Sequence, residues 1–336
     1  MTAHPTPLKF LGPAWFTPVM GLSGLALAWQ AAEPLMGELA GAGALVLGGA
    51  AALVALVLAV LSLLRWQRHP QALADDLKHP VRHAFVAAMP IALILLTTVA
   101  TRLTGPSAPV QGLWALGCAW QLGVTVWVLG RWLRPGAGKD VLPLWPGVTP
   151  ILILPVVGNV LAPLAGVSLG LPHWAAAQFG IGLLLWPVVL ALLLARIALN
   201  GMWPDRLLPT TFITIAPPSV IGLSALELQA PLMLVWMAWG MALWFVLWSG
   251  TVFPRVLNQP FTLGFWALSF PLAAFGTLTL RLSATQPGGV LQMVAVAALA
   301  AASLVIAALT LATVRGLRDG SLLAPEPVAT LNLVAA

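Results

Sequence analysis

Long apolar runs, separated by short breaks that contain charges or Gly and Pro, make up most of the chain. A helix that crosses a bilayer needs about 20 mostly apolar residues. Cutting the sequence at its polar breaks leaves ten segments of that size. The strands of a membrane barrel would instead show short alternating segments. The pattern therefore predicts an all-α polytopic membrane protein with ten transmembrane helices.

The predicted helices are joined by short connections, which leave almost no chain for a soluble domain. We label them α1 to α10, and they cover residues 13–32, 41–66, 80–102, 110–132, 147–168, 172–199, 208–226, 229–250, 261–283 and 290–314. Residues 1–12 are then a cytoplasmic N-terminal segment, residues 13–316 the transmembrane domain, and residues 317–336 a cytoplasmic C-terminal tail.

Prolines recur at a regular interval in the odd-numbered helices. Pro18, Pro90, Pro155, Pro217 and Pro271 are 72, 65, 62 and 54 residues apart, which indicates a repeated two-helix unit. Because proline removes a backbone donor, a broken helix needs shelter from lipid. We therefore expect five helical hairpins in a quasi-fivefold arrangement. Five proline-kinked odd helices form an inner ring around a central pore, and the even helices lie outside.

The predicted helix α9 is interrupted near its middle by the sequence Ser269-Phe270-Pro271. An aromatic ring at the bend of a pore helix closes a narrow lumen by occlusion or dewetting. A phenylalanine beside a kink can equally serve helix packing alone. Phe270 is the predicted gate, with packing as the alternative interpretation.

The inner helices carry no Asp, Glu, Lys, Arg or His at their predicted midplane positions. Ionisable residues inside a membrane usually mark proton relays or ion-coupled pumps. A passive conduit needs only a lumen, weakly polar groups and a gate. The predicted pore-lining residues are Thr17, Pro18, Gly21, Pro90, Thr97, Thr98, Pro155, Asn159, Pro217, Ser219, Pro271 and Thr277. Each small polar residue among them could instead lie within helix packing.

Composition and charge agree with a membrane protein. Only 7% of the residues are charged and 60% are hydrophobic, whereas soluble domains carry about a quarter charged residues. The net charge of +6 comes from basic residues scattered over loops, which does not favour nucleic-acid binding. If both termini are cytoplasmic, all the Lys and Arg residues except Arg102 and Arg281 lie inside. This bias predicts a multi-pass protein of the inner (plasma) membrane with both termini cytoplasmic.

Arg102 and Arg281 fall at the outer ends of α3 and α9. Basic residues at a pore mouth concentrate anions, although arginines at helix ends also serve as anchors at the headgroups. The first functional hypothesis is an anion-selective channel or facilitator. The alternative is a proton-coupled exporter of dicarboxylate, sulfite or tellurite-type anions.

The loop between α2 and α3 contains His69, Asp75, Asp76, His79 and His83. Imidazole and carboxylate groups are metal ligands, so a membrane-embedded enzyme or metal site is a second alternative. Lys and Arg residues within the loop, and the lack of matching ligands elsewhere, favour a solvated loop. We predict no catalytic residue, metal or cofactor, and the lone Cys118 allows no intramolecular disulfide.

Four stretches resemble the tellurite-resistance/dicarboxylate transporter family, which includes the bacterial tellurite-resistance protein, yeast malate and sulfite transporters and the slow-type anion channel of plant guard cells. They are PVMGLSGLALAW (18–29), HPVRHAFVAAMP (79–90), LPTTFITIAPP (208–218) and GFWALSFPLA (264–273). The similarity extends over essentially residues 13–315.

The resemblance implies a homotrimer in the lipid bilayer, in which each protomer has a central pore. A phenylalanine on helix 9 that occludes the pore maps to Phe270, and a glycine on helix 1 that allows the pore its width maps to Gly21. Small inorganic or organic anions are the implied partners. Members of the family differ in substrate, so the resemblance leaves the anion open.

Overall fold

The computed structural model describes residues 7–133, 147–285 and 289–324. Within these ranges the chain is helical and contains no strand, which confirms the all-α prediction for the described residues. The helices that correspond to the predicted ones are α1 Thr17–Ala31, α2 Glu38–Arg68, α3 Ala88–Thr104, α4 Ala108–Gly130, α5 Leu154–Val160, α6 Pro172–Asn200, α7 Ala216–Glu227, α8 Leu232–Gly250, α9 Ser269–Ser283 and α10 Val290–Arg318. Short helices cover Glu33–Met36, Pro70–Lys78, Pro163–Gly166 and Phe253–Leu257.

Each odd-numbered helix is preceded by a 3-10 helix. These five 3-10 segments are Pro13–Phe16, Arg82–Ala87, Pro150–Ile153, Asp205–Ile215 and Leu263–Leu268. The repeating prolines therefore lie in the first turn of an α-helix, where a backbone N–H has no intrahelical partner. The expected proline kink inside a continuous helix is thus corrected to a change from 3-10 to α geometry.

Eight helical segments of the described residues are long and apolar enough to cross a membrane. They are Glu38–Arg68, Arg82–Thr104, Ala108–Leu133, Pro172–Asn200, Asp205–Glu227, Leu232–Gly250, Leu263–Ser283 and Val290–Arg318. The protein is therefore a multi-pass membrane protein. Helix α1 and the segment Pro150–Gly166 are shorter, so the number of ten spans stays a prediction.

The odd-numbered segments are buried and the even-numbered helices are exposed. Of the apolar window of each span, 94% is buried in Asp205–Glu227 and 78% in Leu263–Ser283, against 22% in Glu38–Arg68 and 28% in Val290–Arg318. The even helices present large apolar side chains such as Leu53, Leu184 and Trp244 on the outer surface. Lipid is the solvent that suits such a surface.

The buried segments pack in a closed order. Helix α1 contacts α3 and α9, α7 contacts α9, and α5 with its short extension Pro163–Gly166 contacts both α3 and α7. The five 3-10 segments contact one another in the same cyclic order. Each even helix packs against the odd helix before it and against the next odd helix in this order. The hairpin repeat read from the prolines therefore has a counterpart in helix packing.

Tryptophan side chains bond the outer helices to the inner ones. The indole N–H of Trp29 donates to Ser303 Oγ at 3.1 Å, and that of Trp239 donates to Thr279 Oγ1 at 3.0 Å. Trp266 donates to Thr313 at 2.8 Å. Buried indole N–H groups usually find a hydrogen-bond partner. These bonds join α1 and the 3-10 segment before α9 to α10, and α8 to α9.

Some predictions fall outside the described residues. Arg134 and Lys139, two of the predicted cytoplasmic basic residues, lie there, as do the first six residues and residues 325–336 of the tail.

Candidate functional site

Phe270 is the second residue of α9 and is only 6% exposed. Its ring lies against α1 at Gly24, where a Cβ atom would come within 2.8 Å of Phe270 Cδ2. Two carbon atoms do not approach so closely, so a glycine is required here for the ring to occupy its position. The predicted gate residue is thus held where α9 crosses α1, directly after a 3-10 segment.

Gly21, the glycine that the resemblance singled out, lies one turn earlier on α1. It faces Ser269 and Trp266, and a Cβ atom at Gly21 would be 2.4 Å from Ser269 Oγ. Gly24, which faces the Phe270 ring, was not among the predicted site residues. The spacing of Gly21 and Gly24 was a signal in the sequence, because residues three apart lie on the same face of a helix.

The hydroxyl groups of the predicted lining residues donate to carbonyl groups of their own segments. Thr17 donates to Ala14 O, Thr97 to Ile94 O, Thr98 to Ile94 O, Ser219 to Ile215 O and Thr277 to Ala273 O, at 2.7 to 2.9 Å. All five residues are buried, as are the prolines Pro18, Pro90, Pro155, Pro217 and Pro271. The hydrogen of each of these hydroxyl groups is therefore used in a bond within the protein.

Asn159 differs from the other predicted lining residues, because its amide bonds to outer helices. Its Nδ2 donates to Thr125 Oγ1 of α4 at 2.8 Å, and Gln178 Nε2 of α6 donates to Asn159 Oδ1 at 3.1 Å. Gln121 Nε2 of α4 donates to Pro155 O at 2.8 Å. Asn159, Gln121 and Gln178 are fully buried. These bonds join α5 to both of the outer helices that cover it.

Arg102 and Arg281 are brought together by an acidic residue that sequence reasoning missed. Glu227, the last residue of α7, has its Oε1 atom 2.5 Å from Arg102 Nη2 and 2.9 Å from Arg281 Nη2. Arg102 Nη2 also donates to Leu164 O at 3.2 Å. The three side chains carry a formal charge of +1. The sequence signal for this cluster was a lone Glu at the C-terminal end of an odd helix.

Residues 11–314 match the voltage-dependent anion channel family, abbreviated SLAC1. The match extends over most of the 336 residues. This chain belongs to the voltage-dependent anion channel family. Its family is one of anion channels and transporters, in agreement with the resemblance seen in the four sequence stretches.

Relatives in this family come from bacteria, archaea and plants. A tellurite resistance protein TehA homolog of Haemophilus influenzae is 26% identical over 92% of each chain. The S-type anion channel SLAH2 of Arabidopsis thaliana is 26% identical over 71% of this chain and 45% of the plant protein. An uncharacterized transporter of Methanocaldococcus jannaschii, MJ0762, is 23% identical over 80% of this chain and 83% of the archaeal one.

In this member of the anion channel family, the loop between α2 and α3 is less solvated than its sequence suggested. Asp76 is buried, with Oδ2 at 2.7 Å from Arg65 Nη2 and Oδ1 at 3.3 Å from Arg82 Nη1. His83 is also buried, and its Nδ1 lies 3.0 Å from His79 O. The expectation of a solvated loop is wrong for these two residues, because Arg65 of α2 covers Asp76 and the ring of Trp127 of α4 lies 6.2 Å from that of His83.

The hydrogen bonds of the histidines and acids in this loop can be compared with the alternative of a metal site. His79 Nδ1 accepts hydrogen bonds from the backbone N–H groups of Val81 and Arg82. Among the described residues of this channel-family chain, no three His, Cys, Asp or Glu side chains form a group that could hold a metal ion. The acid with the deepest position in the loop, Asp76, is bonded to two guanidinium groups.

Proposed function

We propose that this protein is an anion-selective channel or facilitator of the inner membrane. Membership of the voltage-dependent anion channel family supports the class of function. The absence of ionisable residues from the middle of the odd-numbered segments supports a passive route over a proton-coupled one. The ions it carries are small inorganic or organic anions.

We propose that the route runs along the axis of the five odd-numbered segments. The cyclic order of their contacts, repeated by the 3-10 segments, supports five hairpins in a quasi-fivefold arrangement. Ten spans then form the transmembrane domain 13–316, with segments 1–12 and 317–336 on the cytoplasmic side. Arg65, Arg68, Arg196, Arg315 and Arg318 near one end of the even helices support this orientation.

In this proposal, Phe270 is the gate of the route. The observation that carries the assignment is the position of its ring, which is buried against Gly24 at the first turn of α9. Thr17, Gly21, Thr97, Ser219, Thr277 and the five junction prolines border the route. Because these hydroxyls donate to backbone carbonyls, they do not replace the water around an anion, so we expect weakly hydrated anions to pass most easily.

Replacing the ring tests the gate. Purified protein reconstituted in planar bilayers is expected to show low anion currents, and Phe270→Ala is expected to raise them markedly, because the occluding side chain is removed. Phe275→Ala is the matched control. It removes the same side chain from α9, but at a position stacked on Trp239 of α8 at 6.2 Å. Reversal potentials under a salt gradient report whether anions carry the current.

Two results would contradict the gate assignment. One is unchanged conductance in folded Phe270→Ala protein, and the other is an equal rise in Phe275→Ala, which would indicate general loosening of α9. Both variants lose a buried ring, for which about 3–5 kcal/mol of stability is typical in protein cores. Size-exclusion chromatography therefore accompanies each recording to establish that the variants are folded.

A coupled exporter of dicarboxylate, sulfite or tellurite-type anions is the second candidate. The names of the relatives favour it, since two archaeal relatives are called uncharacterized transporters and the Haemophilus relative a tellurite resistance protein homolog. This candidate predicts flux that saturates with substrate and requires a proton gradient. Flux into proteoliposomes with and without a pH gradient separates it from a passive channel.

A homotrimer is the proposed assembly, and it rests on the family resemblance. Chemical crosslinking in native membranes tests it, with a band at three times the monomer mass as the expected result.

A further inference from the structure

Three charged side chains from three different inner helices meet at the outer end of the molecule. Arg102 belongs to the last turn of α3, Glu227 ends α7, and Arg281 belongs to the last turn of α9. Both guanidinium groups contact the same carboxylate oxygen, Oε1 of Glu227, at 2.5 and 2.9 Å. One anionic atom is therefore held between two cations.

The cluster crosses from one side of the inner ring to another. Helices α7 and α9 are neighbours, but α3 and α7 are separated in the ring by α5 and its extension Pro163–Gly166. Arg102 passes this extension, donating to Leu164 O at 3.2 Å on the way to Glu227. The ion pairs thus link α3, α7 and α9, and the hydrogen bond to Leu164 O adds the extension of α5, so that four of the five members of the ring are joined.

The cluster is open to the outside solution but not fully hydrated. The side chains of Arg102, Glu227 and Arg281 are 24%, 13% and 37% exposed. Charges in such partly buried positions interact more strongly than charges in bulk water. Glu227 is the least exposed of the three, as expected of a group enclosed by its two partners.

Two convergent guanidinium groups form a binding site for a halide, an oxyanion or a carboxylate. In this structure the carboxylate of Glu227 fills that site. We propose that Glu227 is a tethered competitor, which occupies an anion-binding site formed by Arg102 and Arg281 and must be displaced when an external anion binds there. This inference rests on the proposed anion-conducting function and adds the residue that sets the affinity of its outer mouth.

The proposal predicts that Glu227→Gln increases anion binding. The amide keeps an oxygen that accepts from the arginines but removes the negative charge, so the formal charge of the cluster changes from +1 to +2. At low ionic strength we expect the apparent affinity for nitrate to rise roughly threefold to tenfold, and the effect to shrink at molar salt as screening increases. Glu38→Gln is the control, because it makes the same charge change at an exposed residue that begins α2.

Nitrate binding and conduction are measured separately, so that a failure of this proposal gives a different result from a failure of the proposed channel function. Thermal unfolding of the detergent-purified protein is followed over one nitrate series that is identical for every variant, since a bound anion stabilises the folded state. Conductance in bilayers is recorded over the same nitrate series. Absent currents in every variant would contradict the channel function, while the unfolding series still reports on Glu227.

A rise in nitrate affinity in Glu227→Gln that exceeds the change in Glu38→Gln supports the proposal. An equal change in both variants would mean that the change in net surface charge alone raises nitrate affinity. An unchanged or lower nitrate affinity in folded Glu227→Gln protein would mean that Glu227 positions the two arginines for binding. Either result overturns the proposal. If Glu227→Gln does not fold, Arg281→Gln is the deciding variant. The proposal requires Arg281 for nitrate binding, so unaltered nitrate binding in this variant would overturn it.

Discussion

Two glycines three residues apart set how closely α1 approaches α9. At Gly24, a Cβ atom would touch the edge of the Phe270 ring at 2.8 Å, and at Gly21 it would touch Ser269 Cβ at 2.7 Å. The first neighbour is a ring that turns about its side-chain bonds. The second is an atom fixed to the backbone, so an added methyl group has different consequences at the two positions.

Gly24→Ala is expected to displace the Phe270 ring and to raise anion conductance, at a stability cost of about 1–3 kcal/mol that is usual for an added methyl group in a packed core. Gly21→Ala is expected to lose more stability, because Ser269 Cβ cannot turn away and the two helices must separate. Conductance in bilayers and thermal unfolding measure the two effects. A conductance that stays at the native level in folded Gly24→Ala protein would argue against the ring as the barrier.

At this scale the sequence predicted the interruption of α9, because proline next to Phe270 leaves a clear signature. It did not predict which glycine of α1 meets the ring. Gly21 and Gly24 share a helix face, and the choice between them depends on the register at which two helices cross. The charge partner of Arg102 and Arg281 was missed for a similar reason, because Glu227 lies 54 residues from Arg281 and its contact exists only after folding.

Helix α5 is the shortest of the inner helices and depends on its outer neighbours for polar contacts. Asn159 receives a hydrogen bond from Gln178 of α6 and donates one to Thr125 of α4. Two further donors, the Thr125 hydroxyl and the Gln121 amide, converge on Pro155 O at 2.6 and 2.8 Å. Polar contacts of this kind hold helices together where lipid provides no hydrophobic drive.

Asn159→Leu is expected to lower stability by about 1–2 kcal/mol, as interhelical hydrogen bonds in membrane proteins do, and to leave anion selectivity unchanged. Thermal unfolding and the chloride-to-nitrate permeability ratio are the measurements. A changed permeability ratio at native stability would instead favour the pore-lining role predicted from the sequence.

The five interruptions of the odd helices were predicted, but their geometry was not. Proline spacing reveals a recurring break, whereas 3-10 and α helices differ little in the period of their apolar residues, at 3.0 and 3.6 per turn. A run as short as the six residues Leu263–Leu268 therefore reads as either form. Packing of the five segments against one another decides between them.

At the scale of the whole molecule, a buried ion cluster connects separate parts of the chain at the end where α2 ends and α3 begins. Arg65 of α2 donates to Lys9 O at 3.0 Å, to Ala72 O at 3.3 Å and to Asp76 Oδ2 at 2.7 Å. Asp76 also pairs with Arg82, at the start of the 3-10 segment before α3. The N-terminal segment, α2, the short helix Pro70–Lys78 and the 3-10 segment before α3 thus meet at the Arg65–Asp76 pair.

Asp76→Asn is expected to destabilise the protein by about 3–5 kcal/mol, because it leaves the buried Arg65 without its anionic partner. Its neighbour Asp75 is exposed, so Asp75→Asn is expected to change stability by no more than about 0.5 kcal/mol. Thermal or denaturant unfolding of both variants in one detergent gives the comparison. Similar small changes in the two would show that the cluster contributes little.

The class of protein and the division into buried odd and exposed even helices followed from hydropathy and proline spacing. The ion cluster of Arg65, Asp76 and Arg82 did not, because a loop with mixed charges is expected to be solvated unless another element covers it. Arg65 covers the loop from the end of α2, a helix whose sequence is typical of a lipid-facing span. Long-range pairs of this kind leave no periodic signal in a single sequence.

The change from 3-10 to α geometry before Phe270 determines the direction in which its ring points. Successive residues turn by about 120° in a 3-10 helix and by about 100° in an α-helix, and rise by about 2.0 and 1.5 Å. Rewinding the six residues Leu263–Leu268 into α geometry would rotate everything beyond them by about 120° and retract it by about 3 Å. The 3-10 form of Leu263–Leu268 therefore fixes the direction in which the Phe270 side chain leaves α9, and a change of winding there would also break the bond from Trp239 to Thr279.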